Sequence, residues 1–233
     1  MKTHERKSIA AFIALLLTAH AVSAAVASTA PATAPATAPT ADAVLAELKA
    51  GNQHHVKAQY KHPHQTGLRR QELTHGQQPH AVILTCADSR VPPEIVFDQG
   101  LGDLFDVRVA GNVAQDAEIA SIEYAVEHLH TPLVVVMGHQ SCGAVAAAIE
   151  GGEAPGHLPS LVRAIAPAVE RARKLTGDLS DNAVRINVEM VVEQLRASHP
   201  VLAEAVAARK LRIVGAVYSL GSGNVVWLPQ NAP

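Results

Sequence analysis

From residue 81 onward, short apolar runs alternate with longer segments of helical periodicity. The runs are AVILT (81–85), FDVRV (105–109), LVVVM (133–137) and RIVGAVY (212–218). Between them lie segments such as AEIASIEYAVEHL (117–129) and NVEMVVEQLRA (187–197). Strand alternating with helix predicts an α/β fold, with a mainly parallel central sheet flanked by helices on both faces. Gly221-Ser222-Gly223-Asn224 before VVWL adds a hairpin, and so one antiparallel edge strand. Earlier, Val44-Leu45-Leu48 has helical spacing, with Gly51 as its expected stop. Ligands of such sheets sit beyond the carboxyl ends of the strands.

The amino-terminal residues have a different character. Lys2, Arg6 and Lys7 precede the apolar run Ile9–Ala19, and the small residues of AHAVSAA follow. That layout predicts a cleavable signal peptide over residues 1–24, cut after Ala21 or Ala24. The run is shorter than the roughly 18 residues that span a bilayer, so no stable membrane insertion is expected after cleavage. An Ala/Pro/Thr-rich linker follows over residues 25–41, and the folded domain occupies 42–233. The expected location is outside the cytoplasm, in the periplasm. A net charge of −2 and 3% aromatic residues leave no electrostatic footprint for nucleic acid, and a small-molecule partner is expected instead.

Two motifs fall at the expected strand ends. TCADSRVPPE (85–94) follows Ala81-Val82-Ile83-Leu84, and GHQSCGAV (138–145) follows LVVVM. Charged groups against a buried strand are costly unless they are paired or bind something. His139 and Cys142 are three apart, so one helical turn could aim both at a single point. Cys142 at a helix start would favour thiolate. With Cys86 from the neighbouring strand, two thiolates and one imidazole make a tetrahedral zinc site with one open position. The rival is a Cys86–Cys142 disulfide in a non-catalytic exported α/β binding module, since the chain has only these two cysteines. His139 as an ordinary core histidine and Asp88–Arg90 as a plain salt bridge are the corresponding bland readings. A disulfide, however, gives neither His139 nor the Asp–Arg pair a role.

CADSRVPPE followed by GHQSCGAV resembles the paired signature of the β-class carbonic anhydrases, C-x-D-S-R and H-x-x-C. GQQP (76–79), GDLFDVRVAGN (102–112), IEYAV (122–126) and GAVYSLGSGNV (215–225) resemble further family blocks in the same order. The resemblance covers roughly residues 42–228. It implies a zinc lyase that interconverts carbon dioxide and bicarbonate, with Cys86, His139 and Cys142 as metal ligands. Asp88 and Arg90 would form the catalytic dyad, with Asp88 as a conditional fourth ligand. Gln77, Phe105 and Tyr124 would line the substrate pocket, the latter two across the interface of a homodimer or higher homo-oligomer. Relatives that act on carbon disulfide or carbonyl sulfide offer an alternative substrate class. One branch of the family has a second bicarbonate pocket built from Trp, Arg and Tyr. Arg108 and Tyr218 match two of those positions but Ile83 stands at the third, so no such pocket is expected. His54, His55, His62, His64, His75 and His80 read as a solvated surface cluster, and none is assigned as a proton shuttle.

Overall fold

The first helix begins where the Ala/Pro/Thr repeat ends. In the computed structural model, which describes residues 39–152 and 155–229, the Thr40 side chain accepts a hydrogen bond from the Ala43 N–H and caps α1 (Ala41–Val56). The signal peptide and nearly all of the linker expected from the sequence lie outside the described residues. Helix α1 does not stop at Gly51. A side chain there would put Cβ 1.7 Å from the Phe97 carbonyl oxygen, so the glycine admits a close crossing of α1 over the segment after α3 (Pro93–Val96). The helix continues one and a half turns beyond it.

The sheet has five strands in the order β2-β1-β3-β4-β5: β1 (Ala81–Thr85), β2 (Leu104–Arg108), β3 (Leu133–His139), β4 (Arg212–Tyr218) and β5 (Val225–Trp227). All neighbours are parallel except the β4–β5 hairpin, as the alternation of elements and the glycine-rich turn predict. Strand residues alternate between two apolar layers. Ala81, Ile83, Leu133, Val135 and Met137 pack with Val44, Leu45 and Leu48 of α1. Val82, Leu84, Val134, Val136 and Ile213 pack on the opposite face. Their partners there are Ile122 and Ala125 of α4 (Asp116–His128) and Val188, Val191 and Leu195 of α7 (Leu179–Arg196). Burial on both faces explains why β1 and β3 read as unbroken apolar runs.

Four helices were not marked by the sequence pattern: α2 (Gly67–Glu72), the short α3, α6 (Leu158–Ala172) and α8 (Val201–Ala207). Pro155, Pro159 and Pro167 make the α6 region look like loop. Pro167 nevertheless sits on the exposed side, while Ile165, Ala168, Val169 and Ala172 form the buried stripe. Helix α7 starts eight residues before the expected segment, because Asp178 caps it by accepting from the Asp181 N–H. The histidine cluster is also less solvated than it looked. His54 and His64 bond the buried carboxylates of Asp98 and Asp103, and His55 lies between the hydroxyls of Tyr60 and Tyr218. His55 ties the end of α1 to β4, while His54 and His64 tie α1 and the segment after it to the loop between α3 and β2.

Strand β2 forms one edge of the sheet and carries Asp106 opposite Ile83. Oδ1 of Asp106 is buried without a hydrogen-bond partner. Burial, reinforced by neighbouring Glu94 and opposed by Arg108, pushes this carboxyl up to about 7. The folded chain therefore keeps a proton that the unfolded chain has released. Stability falls as pH rises from the ordinary carboxylate range toward 7. Asp106→Asn is expected to stabilise the protein by about 1–2 kcal/mol at pH 8 and by almost nothing at pH 4. Urea melts at the two pH values check this; an equal effect at both would contradict the assignment.

Candidate metal centre

Parallel register assembles the site. Thr85, the last residue of β1, pairs with Met137, so Cys86 emerges at the carboxyl end of the sheet, where β3 ends in His139. His139 and Cys142 do not share a helical turn. The chain leaves β3, reverses at Ser141 (φ 53°), and enters α5 (Gly143–Glu150) with Cys142 as its N-cap. A strand, a turn and a helix start do what one turn of helix was expected to do. The sulfurs of Cys86 and Cys142 and a ring nitrogen of His139 all lie within 4.8 Å of one another, and all three residues are buried. The two cysteines are not bridged.

The imidazole orientation follows from one bond. His139 Nδ1 donates to the Gln140 carbonyl at 2.8 Å, which leaves Nε2 as the lone-pair nitrogen. Nε2 is buried and has no hydrogen-bond partner. Such an orphan is costly unless something else takes its lone pair. Two sulfurs and one such nitrogen are the donor set of a tetrahedral zinc site that keeps a position for solvent. The residues present fit that ion.

The two thiols do not ionise together. The neighbouring Cys142 outweighs burial at Cys86 and, with adjacent His139 and the Gly111 N–H, brings the Cys86 thiol down to about 4. Cys142 is pushed up, by its hydrogen bond to Cys86 and by burial. The amides of Ala144 and Val145 do act on Cys142, as a helix start should, but the adjacent sulfur charge prevails. Two neighbouring thiolates need a cation between them.

Asp88 and Arg90 flank the cluster. Asp88 Oδ1 accepts from the Arg90 backbone N–H and from Nε, both at 2.9 Å, and Oδ2 accepts from Nη2 at 2.7 Å. This bidentate grip holds the Asp88 carboxyl well below the usual carboxylate range. Oδ2 lies 3.8 Å from His139 Nε2, at the edge of the cluster. Arg90 also reaches the Ser141 carbonyl. Arg108 has a part that the sequence reading missed. From the carboxyl end of β2 it donates Nη2 to the Asp88 carbonyl at 2.6 Å and Nε to the Cys86 carbonyl at 3.2 Å. The available signal was a charge at a strand end in register with Thr85.

The remaining residues expected at the site do not reach it within one chain. Gln77 is exposed and precedes β1, at the opposite end of that strand from Cys86. Phe105 pairs with Val82, four residues before Cys86, or about 13 Å along the sheet. Its ring lies 6.3 Å from that of the half-exposed Tyr124.

A family model described as carbonic anhydrase matches residues 81–225. Carbonic anhydrase 2 of Mycobacterium tuberculosis is 45% identical over 183 residues, covering 77% of this chain and 88% of that protein. The β-carbonic anhydrase CafA of Aspergillus fumigatus superimposes with a TM-score of 0.63 at 31% identity, over 82% of this chain and 92% of that one. A structure from a study of two tetrameric β-carbonic anhydrases of Sordaria macrospora gives 0.62 at 28% identity, over 77% and 90%.

Proposed function

The chain belongs to the β-carbonic anhydrase family, the zinc enzymes whose general activity is carbon dioxide hydration, and on that premise we propose how its residues carry the reaction. The reading is reversible conversion of carbon dioxide and water to bicarbonate and a proton, with Cys86, His139 and Cys142 holding the ion. The observation that carries it is the unpartnered, buried Nε2 of His139 among two sulfurs. Zinc, when bound there, supplies the Lewis acidity that ionises water near neutral pH.

The chain's own groups then position the reactants. Asp88, kept ionised by Arg90, is an acceptor only. It takes the O–H of the nucleophile and aims a lone pair at the substrate carbon, a positioning effect rather than a proton transfer. Arg90 also keeps that carboxylate turned away from the ligand cluster. Arg108 fixes the backbone of both Cys86 and Asp88, so ligand and acceptor move as one unit.

Phe105 and Tyr124 enter through a two-fold homodimer, and Gln77 lines the same substrate pocket. The outer edge of β2 pairs with no strand among the described residues. Antiparallel pairing of two such edges would bring the Phe105 end of one strand to the Arg108 end of the other, beside the partner's Cys86–Asp88 segment. Apolar aromatic walls there suit a small uncharged substrate. Export to the periplasm is supported by Lys2, Arg6, Lys7 and the apolar run after them. No helix among the described residues is long and apolar enough to cross a membrane.

Stopped-flow measurement of carbon dioxide hydration, with metal content assayed on the same samples, tests the reading. Activity should rise in proportion to zinc up to one ion per chain. Zinc-loaded protein that hydrolyses carbon disulfide but leaves carbon dioxide untouched would contradict it.

A further inference from the structure

The structure assigns Asn187 as a positioning residue for the Cys86 sulfur, acting through the backbone of Gly111; this rests on the zinc reading above. The connection has two hydrogen bonds. Gly111 N–H donates to Cys86 Sγ at 3.3 Å, and Asn187 Nδ2 donates to the Gly111 carbonyl at 2.9 Å. Both bonds are buried, and Asn187 is 3% exposed, on a helix that otherwise turns valine, isoleucine and leucine inward. A buried amide in that position needs a reason.

The backbone supplies one. Gly111 sits at φ 72°, ψ 16°, and Asn112 follows with φ 43°, so two consecutive residues are in the left-handed region. That conformation persists only where the surroundings hold it. A Cβ at Gly111 would lie 2.6 Å from Ile165 Cδ1 and 3.2 Å from Ala144 Cβ, and the positive φ would strain any side chain, so the position favours glycine. Crowding and the positive φ favour glycine, but they do not aim the N–H. The bonds to Asn187 and Cys86 flank the Gly111 Cα on either side, and together they fix the direction in which the N–H points. Without Asn187, the Gly111 carbonyl is buried and unpaired. The turn would relax to satisfy it and swing the N–H off the sulfur. An N–H aimed at a ligand sulfur orients it and draws off charge, which sets how firmly that sulfur holds a cation.

The experiment compares zinc-loaded wild-type protein with Asn187→Asp, which keeps the shape but replaces the donor with an acceptor, and with Asn187→Ser, which shortens it. Ile165→Val serves as a packing control beside Gly111 that touches neither bond. Zinc release to a chelator is followed with a colorimetric indicator, and the sulfur-to-metal charge-transfer band is recorded after cobalt substitution. Both Asn187 variants should release zinc about 10- to 100-fold faster and shift the cobalt band, while Ile165→Val changes neither. If the Asn187 variants only melt earlier without metal, with zinc release and cobalt band as in wild type, the side chain is packing and the role is refuted. Wild-type protein that takes up no zinc would overturn this role and the metal reading together.

Discussion

Cys142→Ser is expected to abolish zinc retention and lower carbon dioxide hydration by about 10⁴-fold or more, since the ion is what moves the pKa of water from about 15.7 toward 7. The fold should survive. Cys142 is the N-cap of α5, a position where serine is favoured, and the swap removes little volume. What is lost is a soft, anionic donor. The hydroxyl of serine does not ionise near neutral pH, so the pocket keeps one sulfur and one imidazole nitrogen. Metal analysis after dialysis, far-UV circular dichroism and stopped-flow rates on one preparation separate these effects. A folded serine variant that holds one zinc and turns over normally would remove Cys142 from the ligand set.

Arg90→Ala should produce a different failure. Activity falls about 10²- to 10³-fold while zinc remains at one per chain. The substitution removes the Nε and Nη2 bonds to Asp88 and leaves only the backbone N–H. The carboxylate already lies 3.8 Å from His139 Nε2, and on the proposed reading a small rotation would carry it into the cluster as a fourth ligand. Stability should change little, because the Arg90 side chain is 53% exposed and exposed pairs contribute about 0–1 kcal/mol. Arg90→Lys keeps the charge but not the fork that grips both oxygens, and should fall between alanine and wild type. Full activity in zinc-loaded Arg90→Ala would show that Asp88 needs no restraint.

The layout of the sheet and the three metal donors were legible in the sequence because each depends on local pattern. Continuous apolar runs mark strands buried on both faces, and a glycine-rich turn marks the antiparallel edge. Cys86 and His139 then follow from which end of a parallel strand carries the polar residues. Features set by distant contacts were not legible. Gly51 read as a stop because glycine often ends helices, whereas here it admits the Phe97 carbonyl. His139 and Cys142 read as one helical turn because three-residue spacing cannot distinguish that from a strand–turn–helix junction. Arg108 and Asn187 act on backbone groups 22 and 76 residues away; Arg108 offers only its charge at a strand end as a signal, and the segment of Asn187 offers none. The lowering of the Cys86 pKa and the raising of that of Cys142 arise from two sulfurs meeting, a fact that exists only in three dimensions. Gln77, Phe105 and Tyr124 belong to an even longer-range level, since one chain alone does not bring them to the metal cluster.

X-ray absorption at the zinc edge on the purified, metal-loaded protein tests the central claim most directly. The fit should give two sulfurs at about 2.3 Å and one imidazole nitrogen at about 2.0–2.1 Å, completed by a single light oxygen scatterer. A shell of nitrogen and oxygen alone, or a metal-free protein with Cys86 and Cys142 joined covalently, would contradict the account.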